Sequence, residues 1–316
     1  LGMCQTLGGL VLFALLAFPM IGAIDLGVDI TRAVNMRAAL QANVDTAALS
    51  GAAAAFGSTN QTGASSDSPN AVGQSFYKDA GIPPFSGVTA ATTAVTVTGT
   101  APGTVTVKAT ATAQIQSLFS GFMTLLPPIS ATATAVASSP SGATGVFPFA
   151  LPECAFSTYW NAATGQPIPN SDGTPQQVTF DSVYHSANNC TAGQWTSLNV
   201  DDNSQSGIKA LMNNGCGCTL KIGEDVYIQP GTKAARFGDA NKDFAGKTVL
   251  MVVLSQTGDI TVKASFPILS FVPFHIVSAD QGAKTITGFF VSNFRGGGLS
   301  GSGGTNFGAV TVALTQ

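Results

Sequence analysis

The first 56 residues carry two successive hydrophobic patterns, which together predict one long helix. Residues 1–24 contain no charged side chain, and an uncharged apolar run of about 20 residues is long enough to cross a bilayer as a helix. Charges begin at Asp25, while small or apolar residues continue to recur at steps of three and four, the period of a helix with one apolar stripe. We therefore expect a helix that is apolar on all sides in its first half and amphipathic in its second, ending at the polar cluster 57–60.

This helix has two interpretations: a simple membrane anchor, or a filament helix that packs against copies of itself. Small residues on the stripe permit close helix packing, although alanine is also the best helix former. Pro19 is expected to bend or locally open the helix. The residues that we expect to contact lipid or other helices are Leu10, Phe13, Leu16, Pro19, Ile24, Asp25, Asp29, Arg32, Arg37, Leu40, Val44, Ala47 and Gly51.

The charges that follow the apolar run predict ion pairs. Asp25 and Asp29 would be costly in lipid, so in a polymer core we expect them to pair with Arg32 or Arg37 of the same or a neighbouring chain. If the apolar stripe carries the polymer contacts, Ala47→Glu should abolish filaments but leave the surface display of a simple anchor intact.

The middle of the chain predicts a linker and a small domain. Residues 57–87 are rich in Ser, Gly, Asn and Pro, which is typical of a linker, here with one short helix. Two alternating Val/Thr runs with a Pro-Gly turn between them predict a hairpin over 94–113. A helix over 117–126 and a third strand over 130–137 complete a strand–strand–helix–strand domain at 88–138. Its side chains are small, so the sheet needs the helix or a neighbouring subunit to complete a core.

The remaining residues, 139–316, predict a β-rich domain. A Ser/Gly/Pro-rich stretch at 138–145 is interpreted as a second linker. Many short β-like runs follow, interrupted by one helix over 207–214, and such spacing favours a sandwich or barrel-like domain. The fold class is therefore α+β: a long N-terminal hydrophobic helix at 1–56, the small domain, and a β-sandwich-like C-terminal domain.

Five cysteines bear on the compartment. Cys4 lies in the apolar run and is expected to be a free thiol. The other four lie close together in the chain and predict two disulfides in an oxidising compartment. Because cysteines separated by one residue seldom bridge each other comfortably, we expect Cys216 and Cys218 each to pair with Cys154 or Cys190, in either combination. A four-thiolate zinc site is the alternative, but it normally needs two Cys-x-x-Cys pairs.

Composition argues against several functions. Only 9% of the residues are charged and the net charge is −3, so there is no electrostatic case for nucleic acid binding. The stretch 202–206 fits an Asp-x-Ser-x-Ser metal pattern, but a solvated turn is the preferred interpretation, with a calcium-binding loop as the alternative. Of the two histidines, His185 and His275, the second lies in an apolar run and is expected to be packed. No nucleophile and base can be paired, so we expect no catalysis and no cofactor.

The order of residues near the N-terminus resembles that of a known family. The block at 9–25, the Gly-Val-Asp step at 27–29, Arg32 and the Ala-rich block at 40–53 look like the start of the TadG-like (TadE/TadG) proteins of the tight-adherence (Flp) pilus system. Further blocks between 193 and 231 follow the order of a C-terminal region in TadG-like proteins.

This resemblance implies a structural role in a bacterial extracellular filament. It implies a pilin-like subunit that is held in the inner membrane before assembly and then forms a homopolymer through its N-terminal helix, with other pilus-assembly proteins as partners and β domains on the cell surface. The alternatives are a membrane-anchored extracellular adhesin and a minor pilus-assembly component.

Overall fold

The computed structural model describes residues 2–57, 88–99, 103–115, 127–182, 190–200, 204–229 and 233–315. Within 2–26 it describes side chains only at Leu16, Ala17 and Met20, and within 88–94 it describes the backbone alone. The predicted linker helix in 57–87 and the predicted helix at 117–126 lie outside these residues, apart from Gly57 at the end of the first helix.

The described residues form four α-helices and sixteen strands. In chain order they are α1 (Gly2–Gly57), β1 (Val88–Thr98), β2 (Val105–Ile115), β3 (Ile129–Ser138), β4 (Gly142–Ala143), β5 (Phe149–Pro152), α2 (Phe156–Tyr159), β6 (Trp160–Asn161), β7 (Gln166–Pro167), β8 (Val178–Asp181), β9 (Gln194–Trp195), α3 (Gln205–Asn214), β10 (Leu220–Lys221), β11 (Asp225–Tyr227), α4 (Ala234–Phe244), β12 (Thr248–Leu254), β13 (Ser265–Asp280), β14 (Thr285–Phe290), β15 (Leu299–Ser300) and β16 (Thr311–Thr315).

The first sheet has four antiparallel strands in the order β1, β2, β3, β16. The predicted hairpin is confirmed, with Val97 opposite Val107, and β3 is the predicted third strand. Period-two alternation places one row of Val and Ala side chains on the inner face and Thr on the outer face, and the inner rows of β2 and β3 are fully buried.

The strand at the C-terminus joins this first sheet and not the sheet that immediately precedes it in the chain. Thr311 lies opposite Ser138 and Thr315 opposite Thr134, so β16 pairs with the second half of β3. Residues 311–315, which fall within the predicted C-terminal domain, thus complete the sheet of residues 88–138.

The main sheet of the C-terminal part has seven strands and curls like a half-barrel. Its path is β8, β14, β13, β12, β5, β9, with β11 on the first residues of β13. The pair β5 and β12 is parallel, and the other pairs are antiparallel. The 16-residue strand β13 serves three neighbours along its length, which requires it to bend.

The α+β class is confirmed, and of the sandwich and barrel-like alternatives for the C-terminal part the described residues show a curled half-barrel. Helix α4 occupies one face of the main sheet, where Phe237 meets the rings of Phe149 and Trp195 at centroid distances of 6.2 and 5.2 Å. A second aromatic cluster forms around Phe156, whose ring stacks on Phe307 at 3.9 Å.

The stretch 138–145, interpreted from sequence as a linker, is hydrogen-bonded on both sides. Strand β4 pairs with both β10 and β15. Backbone bonds from Ser141 to Ser300 and from Thr144 to Gly298 attach it to the Gly-rich segment 296–304. Gly298 has φ +109°, and a Cβ there would lie 2.3 Å from Thr144 Oγ1, so glycine is needed for this close approach. The connection from β3 of the first sheet to β5 of the main sheet therefore runs through the hydrogen-bonded strand β4.

The disulfide pairing differs from the sequence expectation. Cys154 bridges Cys190 and Cys216 bridges Cys218. In an extended chain, Cα atoms two residues apart are separated by about 7 Å. Here Gly217 adopts φ +64° and the Cα atoms of its neighbours are only 5.1 Å apart, within the range that a disulfide spans. The left-handed conformation of Gly217 therefore brings Cys216 and Cys218 close enough to bridge each other, which the sequence analysis considered unfavourable.

Candidate assembly surface of the N-terminal helix

The second half of α1 packs on the first sheet of its own chain. Its apolar stripe forms one core cluster with the inner faces of β2 and β3. Met36 and Leu40 are completely buried, and Val44 nearly so. The sheet offers mainly alanine side chains, so the helix backbone must approach closely, which the small residues of its last three turns permit. The stripe residues Leu40, Val44, Ala47 and Gly51 are buried within their own chain.

A buried carboxylate marks the point where the helix enters this core. Asp29 is only 4% exposed and lies 3.1 Å from the Arg32 guanidinium one turn later. A buried charge is costly unless it is paired, and a spacing of three residues brings two side chains together on a helix face. Among the pairings that the sequence leaves open for Asp29, the structure contains the one with Arg32 of the same chain.

Parts of the surface of α1 that do not pack on the sheet expose large apolar side chains. Leu16, Met20, Val28, Ile30 and Val34 are between 42% and 65% exposed. The four-residue steps between Leu16 and Met20, and between Ile30 and Val34, place the members of each pair above one another on one face. We call Leu16, Met20, Ile30 and Val34 the exposed stripe. An isolated exposed apolar residue is ordinary, but a row along one helix is typical of a contact surface.

A groove adjoins the exposed stripe where α1 passes the start of β3. It has a volume of about 400 Å³ and is lined by Ile30, Ala33, Val34 and Arg37 on the helix and by residues 127–130 on the other side. Two prolines at 127 and 128 contribute rigid apolar walls. We call this the α1–β3 groove. Arg37 is the one charged residue among the described residues that line the groove. It is exposed, and in the same part of the chain no ion pair is found for it.

The far end of α1 is held by the C-terminal part of the chain. The Arg295 guanidinium donates a hydrogen bond of 2.7 Å to the Ala53 carbonyl oxygen in the last turns of the helix. The helix has no basic residue in its own last turn, so Arg295 supplies the positive charge that favours a helix C-terminus. This hydrogen bond connects the end of α1 to the segment between β14 and β15.

Several predicted helix residues have side chains outside the described set. These are Leu10, Phe13, Pro19, Ile24 and Asp25, although the backbone is helical at each of them and continues through Pro19. When the described residues are searched for a helix long and apolar enough to cross a membrane, none is found. The membrane crossing predicted for residues 1–24 stays a prediction.

The other sequence candidates belong to local structure. In the 202–206 stretch, Ser204 caps α3 by accepting a hydrogen bond of 2.9 Å from the Gly207 amide, and residues 201–203 lie outside the described set. His275 stacks on Phe289 at 4.8 Å and hydrogen-bonds Thr248, so it is packed as predicted, whereas His185 is not described. Within the described ranges, no group of His, Cys, Asp or Glu has a metal-binding arrangement.

Sequence reasoning missed the α1–β3 groove and Arg295. Residues 127–130 are nearly 100 positions from Ile30, and Arg295 is 242 positions from Ala53. The only local signal for the groove is that Ile30 and Val34 lie off the line of Met36, Leu40 and Val44. Two separate apolar lines on one helix indicate that the helix has two partners.

Comparison with known proteins gives one match. Residues 8–54 match the family model of TadE/G-like Flp pilus-assembly proteins. No curated protein and no solved structure matches the chain. The matched range covers both the apolar first half of α1 and most of the part that docks on the sheet. The resemblance noted at 193–231 lies outside it. Residues 8–54 of this chain are therefore a TadE/G-like Flp pilus-assembly domain.

Proposed function

We propose that the chain is a structural, pilin-like subunit of a Tad/Flp-type extracellular filament, assembled through α1. The observation that carries the proposal is that two parts of one continuous helix differ in whether their own chain covers them. The second half is folded into the core of its own chain, while the exposed stripe and the uncharged first half have apolar surface that needs another partner. The TadE/G-like domain covers both halves.

Partners and location follow from this role. The uncharged residues 1–24 are held in the inner membrane before assembly and are transferred to contacts with copies of the chain and with other pilus-assembly proteins. The two disulfides suit an oxidising compartment, so the β-sheets lie on the outer side of that membrane and then on the cell surface. The chain acts as a scaffold and neither needs a cofactor nor performs catalysis.

The experiment is to shear the cell surface, image the sheared material by negative-stain microscopy and determine its main band by mass spectrometry. We expect filaments in which this chain is the dominant component. If the chain is present only at trace level in filaments, it is a minor assembly component. If it stays in the membrane fraction and no filament contains it, the structural-subunit proposal fails, and a membrane-anchored adhesin becomes the better interpretation.

The buried stripe is unsuitable for testing assembly. Ala47 is 5% exposed, so Ala47→Glu would place a charge in the core of its own subunit and prevent folding whether or not filaments form. Val34→Glu is the informative variant, because Val34 is 61% exposed and its loss leaves the core intact. Ala42→Glu is the matched control on an exposed, non-stripe position of the same helix. We expect Val34→Glu to reduce filament yield at least tenfold and Ala42→Glu to retain it within twofold.

A further inference from the structure

We propose that the α1–β3 groove binds the uncharged first half of α1 from a second copy of this chain, with Asp25 of that copy paired to Arg37 of the first. This inference rests on the proposed function and specifies its contact. It specifies the relative direction of the two helices, their register and the ion pair between them.

The first step concerns the chemistry of the groove. Most of the described residues that line it are apolar, and Arg37, the one charged residue among them, lies toward the C-terminal side of the apolar positions on α1. The fitting occupant is an apolar segment with one anion at its C-terminal side. Residues 1–24 contain no charge, and the next residue is Asp25. Groove and segment are therefore complementary in charge as well as in hydrophobicity.

The second step excludes a pair within one chain. Asp25 and Arg37 lie on the same continuous helix, α1. Twelve residues at 1.5 Å per residue separate them by about 18 Å along the axis, which is beyond the reach of an Asp and an Arg side chain. A pair between Asp25 and Arg37 must therefore join two molecules.

The third step fixes direction and register. In both the groove and the segment, the charge follows the apolar positions in the N-to-C direction. The apolar surfaces and the two charges can meet together only if the two helices run parallel. With Asp25 level with Arg37, the second copy is offset by twelve residues, and Gly22 then lies level with Val34. A glycine opposite an exposed valine permits close approach of two helices.

Two experiments test the contact in the full-length chain. In a Cys4→Ser background, Gly22→Cys with Val34→Cys should form an oxidative cross-link between copies. Leu15→Cys with Val34→Cys is the control, because it shifts the first cysteine by two helical turns on the same face. Cross-linking is carried out on whole membranes and on sheared material. We expect at least tenfold more covalent dimer from the in-register pair than from the control pair.

The ion pair is tested by charge reversal. Asp25→Arg and Arg37→Asp should each lower filament yield at least tenfold, and the double reversal should restore it to within threefold of the wild type. Lys108→Asp is the control for a lost cation at an exposed position on the sheet, and it should leave filament yield within twofold of the wild type.

The outcomes separate this inference from the proposed function. If filaments form but the Gly22/Val34 cysteine pair cross-links no better than its control and the double charge reversal does not restore yield, the contact is overturned. The structural-subunit role then still stands. In-register dimers without filaments would support the contact and overturn that role. The absence of filaments, register preference and rescue would overturn both.

Discussion

Leu40 provides the most direct test of how α1 is divided between its own subunit and its neighbours. Its side chain is completely buried in the cluster formed by α1, β2 and β3. Shortening a buried leucine to alanine typically costs between about 2 and 5 kcal/mol, depending on how far the surroundings collapse into the cavity. The cluster that contains Leu40 consists mainly of alanine side chains where β2 and β3 contribute to it, so little collapse is available, and we expect about 3–4 kcal/mol.

The matched control is Val34→Ala on the same helix. Val34 is 61% exposed in the single chain, and surface substitutions usually change the free energy of unfolding by less than about 0.5 kcal/mol. Urea unfolding of full-length protein in mild detergent, followed by circular dichroism of the helical signal, measures both variants. Below the assembly concentration, Leu40→Ala should lower the unfolding midpoint strongly and Val34→Ala should not.

Among the molecules that remain folded, Val34→Ala should impair filament assembly more than Leu40→Ala does. Val34→Ala removes a contact of the exposed stripe, so it should reduce filament yield although the subunit is stable. Leu40→Ala should reduce filament yield only in proportion to the loss of folded subunit. Equal losses of stability in the two variants, or a cost below about 1 kcal/mol for Leu40→Ala, would refute the assignment of the two faces, because the cited burial predicts a larger difference.

Two further predictions concern the links within the subunit. Replacing Cys154 and Cys190 by alanine should lower the free energy of unfolding by about 4 kcal/mol, and replacing Cys216 and Cys218 by about 1 kcal/mol, because loop entropy grows with the logarithm of the number of residues enclosed, and the separations are 36 and 2 residues. Urea titration of the two double variants measures the difference, and equal losses would contradict it. Arg295→Ala removes a charge-assisted hydrogen bond to the end of α1 and should lower the free energy of unfolding by about 1.5–3 kcal/mol. Thermal melting of the helical signal measures the loss, with Arg295→Lys as the charge-retaining control. Equal melting temperatures for Arg295→Ala and the wild type would contradict this prediction.

The elements that the sequence predicted well are those with a strong local period. The hairpin of β1 and β2 follows from period two, and the long helix follows from steps of three and four. Helix α4 was missed because its eleven residues include a glycine and three charged or amide residues in its second half, and only Phe237 and Ala240 are buried. Two buried residues are too few to reveal a period.

Long-range packing could not be predicted from the pattern. An apolar stripe shows which face of α1 is covered but not what covers it, and the sequence analysis expected lipid or other helices as the partner. Likewise, nothing local distinguishes β16, which returns to β3, from the strands before it. Strand β13 runs through Pro273, because proline fits an extended backbone and removes only one hydrogen-bond donor.

The connections within the subunit determine what a filament built on α1 would display. The buried stripe fixes the first sheet to the helix, and β16 and Arg295 bring residues from the end of the chain onto the same helix. The pairing of β4 with β10 and β15 joins the first sheet to the main sheet without a free linker. In an assembly of the proposed kind, these links would carry the C-terminal part with α1 when the helix rotates about its axis. It follows that contacts on the exposed stripe, which set the rotation of each helix in an assembly, would also set which surface of the main sheet faces outward. A change of register in the α1–β3 groove would then alter the displayed surface of every subunit together.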